Sequence, residues 1–177
     1  EWKTLVAGIT AGKYHMTGSA SISPARAKAT GYSDSYFSLA PVPLTLKSNA
    51  DKYQDWEDLN NADVRVAATL GTTQEKQVKQ YFPNAKHVIV EAPAQPFQQV
   101  LSGRADAHIT SNVEANKLVA IHSDLMIVPV SAPKSPTPIA MLLPQADQVW
   151  INYVNTWIKL KQERGFFKEL DDKWKLN

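Results

Sequence analysis

Cysteine is missing from all 177 residues, which excludes disulfides, thiolate metal sites and a cysteine nucleophile, and is compatible with an oxidising compartment. No stretch reaches the roughly 18 apolar residues of a membrane-crossing helix. The opening Glu1-Trp2-Lys3 does not read as a signal peptide, so an exported form is expected to have lost its leader already. Charge of one sign is lacking too. The 19 Lys and Arg side chains against 17 Asp and Glu leave a net +2, with no concentrated footprint for nucleic acid, and no nucleic-acid partner is expected. His15, His87, His108 and His122 are scattered without a His-Glu-x-x-His or similar spacing, so neither a metal nor any other cofactor is expected. No Gly-x-Ser-x-Gly elbow occurs. Gly8, Gly12 and Lys13 come near a phosphate loop, but the spacing is one residue short and Tyr14 stands where serine or threonine is required.

What is present is an alternation of short helical and extended patterns in a chain 44% hydrophobic, enough for a packed core in one domain or two small ones. Trp2, Leu5, Val6 and Ile9 have helical spacing before Gly12, and Tyr14 to Thr17 reads as a strand. Pro24 to Ala29 reads as a short helix. Ser38 to Lys47 is extended, with Pro41 and Pro43 confining it to an edge or a crossover. Strands are expected at Val64–Ala68, Lys86–Val90, Arg104–Thr110 and Ile139–Leu143, with Met126 to Val130 extended and 132–138 a proline-rich connection. Thr72 with Glu75, and Ser111 with Glu114, have capping-box spacing for helices reaching about Tyr81 and Ala120. Pro96 to Ser102 is a helix closed by Gly103. Asp147 to Arg164 carries Val149, Trp150, Tyr153, Val154, Trp157, Ile158 and Leu160 in an amphipathic pattern ended by Gly165, and a last helix covers Phe166 to Trp174. Trp150, Trp157 and Trp174 are read as core, and the lysines from Lys159 to Lys175 among Glu163, Glu169, Asp171 and Asp172 as a solvated face.

An internal repeat supports two lobes: Ile9 to Met16 and Val100 to Ala107 both run from a helix through Gly-basic into a strand. Strands alternating with helices argue for α/β lobes with mostly parallel sheets, which bind ligands beyond the strands' C-terminal ends. Ser19, Thr72 and Ser111 fall at those ends.

The stretch from Gly18 to Phe37 is the most informative. Ser23 followed by Pro24 is an N-cap with a first-turn proline, which places Arg26 in the first turn of a helix. A cation there opposes the helix dipole, so a compensating anion is expected. Arg26, backbone N–H groups and the hydroxyls of Ser19 and Ser21 would make a carboxylate or phosphate site; a surface pair with Asp34 is the alternative.

Ser19-x-Ser21-Ile22-Ser23-Pro24-x-Arg26-Ala27, followed by Gly31-Tyr32-Ser33-Asp34-x-Tyr36-Phe37, resembles the corresponding segment of the bacterial extracellular solute-binding proteins of the polar amino-acid type, a group that includes cyclohexadienyl dehydratases. Leu70-Gly71-Thr72-Thr73-Gln74-Glu75 is similar to that family's second-lobe ligand loop, and Gly103-Arg104-Ala105-Asp106-Ala107 to its strand before the hinge. The resemblance implies an α/β, type II periplasmic-binding-protein-like fold with residues 1–44 and 138–177 as lobe one and 45–137 as lobe two. Lobe one would be N-terminally truncated by about 60 residues, and the edge so opened at Tyr14 to Thr17 makes a homo-oligomer the expectation. It also implies a periplasmic or extracellular location and ABC transporter membrane subunits as partners.

The resemblance further implies Arg26 as the holder of a small carboxylate ligand in an interlobe cleft, with Ser19, Ser21, Thr72, Thr73 and Ser111 as ligand contacts and no catalytic residue. In amino-acid binders of the family the position of Ser111 is aspartate, which pairs with the ligand's ammonium, and the dehydratases rely on a carboxyl group near the same place. Serine cannot carry that charge. Glu114, one turn on, is read first as a capping-box member. A solute-binding module is therefore expected, against two alternatives: a prephenate or arogenate dehydratase-like lyase, and an oligomerising domain without ligand function.

Overall fold

The computed structural model describes residues 1–174 and Leu176; Lys175, the last lysine of the expected charged face, lies outside the described residues. In chain order the helices are α1 (Leu5–Thr10), α2 (Pro24–Ala27), α3 (Thr73–Tyr81), α4 (Pro96–Leu101), α5 (Asn112–Ile121), α6 (Gln148–Glu163) and α7 (Phe166–Trp174). The strands are β1 (Thr17–Ser21), β2 (Gly31–Tyr32), β3 (Phe37–Leu39), β4 (Pro41–Leu46), β5 (Arg65–Thr69), β6 (Lys86–Val90), β7 (Ala107–Ser111), β8 (Leu125–Ile127) and β9 (Thr137–Leu143). Single 3-10 turns cover Trp2–Thr4, Lys47–Asn49 and Glu57–Leu59. Two compact units result, one of residues 4–39 with 137–177 and one of residues 1–3 with 40–136.

In the first unit β9 is the common partner, pairing antiparallel with β1, β2 and β3. The expected parallel character is therefore absent from this sheet as described, because the chain runs through β1, β2 and β3 before β9 returns in the opposite direction. β1 begins at Thr17, three residues later than the strand read from Tyr14, and its register against β9 shifts between Thr17 and Ala20. The cause is the preceding turn: Gly12 adopts φ +66°, and 13–16 are spent in leaving the helix before pairing starts. Gly103 (φ +68°) does the same before β7, which begins at Ala107 and not at Arg104.

The core of this unit has two parts. Ile9, Ala20 and Leu142 form one, with Tyr14 and Tyr32 packed on it. Leu143, Ile151, Val154 and Ile158 form the other, covered by Tyr36, Trp150, Trp157 and Phe167. Along α6 the buried stripe is Ile151, Val154 and Ile158, while Val149 and Tyr153 stay 81% and 62% exposed. Trp174, read as core, is 65% exposed at the end of α7 and is corrected to a surface residue.

The second unit holds a five-stranded sheet in the order β6-β5-β7-β4-β8, in which β5 is parallel to β6 and β7 and β4 is antiparallel to β7 and β8. Of the two places that Pro41 and Pro43 suggested for this stretch, an edge or a crossover, the edge is excluded: β4 is an interior strand, the first after the chain passes from one unit to the other at 39–40. β8 meets only Leu44 to Leu46, and the Pro43 carbonyl accepts the Val128 N–H (2.9 Å), so the N–H that proline lacks faces the β8 side just past the end of that strand. One face of the sheet packs Tyr53, Trp56, Leu59, Val66, Val78, Phe82 and Ile109 together. The other gathers Leu44, Ala67, Val100, Ala115, Leu118 and Leu125 under α4 and α5. Arg65 and Asp106 tie β5 to the start of β7 through an Nε to Oδ2 bond of 2.9 Å and an Nη2 to Oδ1 bond of 3.0 Å. Burial alone would raise the Asp106 carboxyl's pKa, and Arg65 overcomes that and holds it below the usual carboxylate range.

Candidate functional site

In the first unit three of the expected site residues lie within one stretch of chain. Ser19 occupies the irregular step of β1, its Oγ 3.3 Å from Tyr36 Oη, and the Tyr36 hydroxyl also donates to the Gly18 carbonyl. Burial pushes the Tyr36 phenol up, with the Ser19 contact opposing it. Ser21 ends β1. Ser23 then leaves the strand with extended dihedrals and its Oγ accepts the Arg26 backbone N–H at 3.4 Å, the cap that Ser-Pro predicts. Thr30 Oγ1 donates to the Arg26 carbonyl at 2.8 Å, closing α2 behind the arginine.

Arg26 is 9% exposed, an uncommon degree of burial for an arginine. Its Nη1 donates to the Ser21 carbonyl at 3.0 Å, so the guanidinium folds back over the end of β1. A guanidinium can present a planar pair of N–H donors to a carboxylate.

The remaining three expected residues stand in the second unit, where the neighbouring strands β5 and β7 run into α3 and α5. Thr72 is the N-cap of α3: its Oγ1 accepts the Glu75 N–H at 3.2 Å and donates to the Thr69 carbonyl at 2.6 Å. Thr73 is the first residue of α3. Glu75 does not reach back to the cap residue itself but to the Gly71 N–H, at 2.7 Å. Burial would raise the Glu75 carboxyl, and Lys79 together with that N–H outweighs it and holds it below the usual range. Ser111, the last residue of β7, is the N-cap of α5 and accepts the Glu114 N–H at 3.2 Å. The Glu114 carboxylate takes the Thr110 hydroxyl.

Asn112 has no counterpart among the expected residues. Its Oδ1 accepts the Ala40 N–H at 3.1 Å and its own N–H donates to the Ala40 carbonyl at 2.8 Å, which fixes the start of α5 against the approach to β4. Tyr32 was likewise missed, and its hydroxyl touches the same loop as Arg26. His108, one turn of pleat before Thr110, is 3% exposed; burial pushes its pKa down to about 3, and its Nδ1 has no hydrogen-bond partner among the described residues. Among the described residues no group of three or more His, Asp or Glu could hold a metal, and no helix is long and apolar enough to cross a membrane.

Comparison with known proteins places this geometry in context. Over 154 residues, 87% of the chain, it is 26% identical to the cyclohexadienyl dehydratase of Pseudomonas aeruginosa, and it spans 57% of that enzyme's length. An ancestral amino acid-binding protein, a precursor of cyclohexadienyl dehydratase, superposes with a TM-score of 0.90 at 33% identity, covering 98% of this chain and 74% of the other. The amino acid ABC transporter substrate-binding protein AbpA of Streptococcus pneumoniae, bound to L-arginine, gives 0.89 at 23% identity over 99% and 74%. That second likeness is one of fold, a type II periplasmic-binding-protein fold. The family description of bacterial extracellular solute-binding proteins, family 3, matches residues 1–177 from end to end, and the chain belongs to that family.

Proposed function

We propose that this chain binds a small carboxylate-bearing solute, an amino acid or organic acid, and that Arg26 is the anion anchor. The observation that carries the reading is the buried Arg26 guanidinium held on the Ser21 carbonyl in a member of a solute-binding family. Ser19 and Ser21 beside it, and Thr72, Thr73 and Ser111 in the second unit, are the polar groups we assign to the solute. The L-arginine of the Streptococcus relative and the amino-acid-binding ancestral relative support an amino acid as the first probe to try. In the cell envelope the chain would hand its solute to ABC transporter membrane subunits.

The test is thermal unfolding of wild type and Arg26→Ala with L-arginine, L-lysine, L-phenylalanine and prephenate. A bound ligand at about 100 times its Kd raises stability by about 2.7 kcal/mol. Loss of a charge-assisted contact costs about 1.5–3 kcal/mol, so most of the shift should vanish in the variant. Equal shifts in both proteins would end the anchor assignment.

The match to the Pseudomonas enzyme favours a second reading, dehydration and decarboxylation of prephenate or arogenate. Against it stand Ser111, which carries no ionisable acid, and Glu114, whose carboxylate is engaged by Thr110. We expect no phenylpyruvate from prephenate above the uncatalysed rate; its appearance in the absorbance trace would make the chain an enzyme.

A further inference from the structure

We infer that Tyr32 is a positioning residue for the Arg26 guanidinium, an assignment that rests on the anion-anchor reading above. Arg26 Nη1 and Tyr32 Oη donate to the same acceptor, the Ser21 carbonyl, at 3.0 Å and 2.9 Å. Tyr32 Oη in turn accepts the Ser23 backbone N–H at 3.3 Å. One phenol therefore grips the chain on both sides of Ile22, at the carbonyl that orients the guanidinium and at the residue whose Oγ caps the Arg26 N–H.

The ring that carries this hydroxyl is itself held. β2 pairs Tyr32 with Leu142 of β9, and the ring packs on Ile9, Ala20 and Leu142. The hydroxyl thus projects from a fixed platform. α2 has four residues, little more than one turn, and cannot by itself fix the direction of the Arg26 side chain. The direction of the Ser21 carbonyl does so, and a carbonyl accepting two donors has both lone-pair directions occupied. Removing the phenol oxygen leaves the Ser23 N–H without that acceptor and takes one of two donors from the Ser21 carbonyl, whose peptide plane stays held by the Ile22 N–H bond to the Pro138 carbonyl (2.9 Å), so the loosening falls on Ser23 and the turn it caps. The turn that carries Arg26 is then less firmly set, and part of its ordering falls at the moment a carboxylate binds, which lowers affinity without removing any atom that touches the solute.

Tyr32→Phe keeps the ring and its packing and deletes only the oxygen. Its ligand-free melting temperature should stay within about 4 °C of wild type. L-arginine binding, measured by calorimetry, should weaken about five- to tenfold. The same change made in Arg26→Ala should leave residual binding unaltered, because the coupling runs through the arginine. A ligand-independent arm reads the side-chain 15N signals of Arg26, assigned by their loss in Arg26→Ala: separate, slowly exchanging Nη signals in wild type should merge in Tyr32→Phe.

Unchanged L-arginine affinity in Tyr32→Phe, with affinity lost in Arg26→Ala, overturns the positioning role and leaves the anchor standing. Equal weakening with and without Arg26 makes Tyr32 structural and also overturns it. Should Arg26→Ala bind L-arginine as wild type does, or wild type not bind it, the anchor reading fails on that probe and the 15N comparison decides for Tyr32. Merged signals support the role; separate signals in Tyr32→Phe reject it.

Discussion

Acidification below about pH 6.5 is expected to strip this protein of stability at about 1.4 kcal/mol per pH unit, and His108 is the cause. Its register partners are Leu44 on β4 and Ala67 on β5, both members of the aliphatic cluster under α4 and α5. In that setting the imidazolium is disfavoured, and burial lowers the folded pKa from 6.5 to about 3. The unfolded chain takes up a proton as pH falls through 6.5 while the folded one does not. The contribution is therefore complete above the unfolded pKa and declines until the folded pKa is reached, a loss on the order of 4–5 kcal/mol across the window. Set against a usual total of about 5–15 kcal/mol, this is a large share. His108→Leu removes the titration and suits the cluster. Urea unfolding of both proteins at several pH values between about 7.5 and 4 should give curves that converge or cross, with wild type falling the more steeply. Asp106, Glu75 and Asp55, whose pKa values are lowered, add an acid limb of their own at lower pH in both proteins. Parallel curves above that limb would mean that the imidazole reaches solvent.

Phe82→Ala should cost about 3–5 kcal/mol. Phe82 is fully buried, stacks on Trp56 at 6.0 Å and meets Tyr81 edge-on at 6.3 Å, while the Lys134 ammonium lies 5.6 Å from the Trp56 ring centroid and 5.3 Å from that of Tyr81. It stands just past the C-terminal end of α3, the helix whose other end carries Thr72 and Thr73. Truncation opens a cavity against Val78 and Leu59 and removes the stack on Trp56. Tryptophan-detected denaturation should show the midpoint falling with little change in slope, and Phe82→Leu should recover more than half of the loss. A cost near 1 kcal/mol would mean that the cluster collapses to fill the space.

Much of the architecture was readable from residue order, for reasons that can be named. α3, α5 and α7 declared themselves because each is bounded by local chemistry, a Thr or Ser cap or a left-handed glycine as at Gly165, and β6 because its β-branched run lies between Pro83-Asn84 and Pro93. Elements with a distant determinant did not. β1 and β7 start only once the turns at Gly12 and Gly103 have run out and β9 and β4 offer partners, and β4 is interior because β7 and β8, far along the chain, flank it. The site divides in the same way. Ser23, Thr72 and Ser111 act on residues three positions on, a spacing the sequence displays, and Arg26 was drawn to notice by lying in a first turn. Tyr32 works across 11 residues to Ser21, and the unpartnered nitrogen of His108 depends on what two neighbouring strands present; neither has a signature in periodicity.

β9 is the common partner of β1, β2 and β3, and it arrives only after the whole of residues 40–136 has been traversed. Ala20 finds its register neighbour at Ala140. As the chain is delivered N-terminus first, the second unit can therefore close on itself before β9 arrives. β1, β2 and β3 meanwhile stand without the strand that would join them. Their long-range pairing is the slow kind, since the loop-closure entropy falls due before any ladder bond forms. The interval before β9 emerges is thus when chaperones have most to shield, and it is set by the length of the inserted unit, not by the strength of either core.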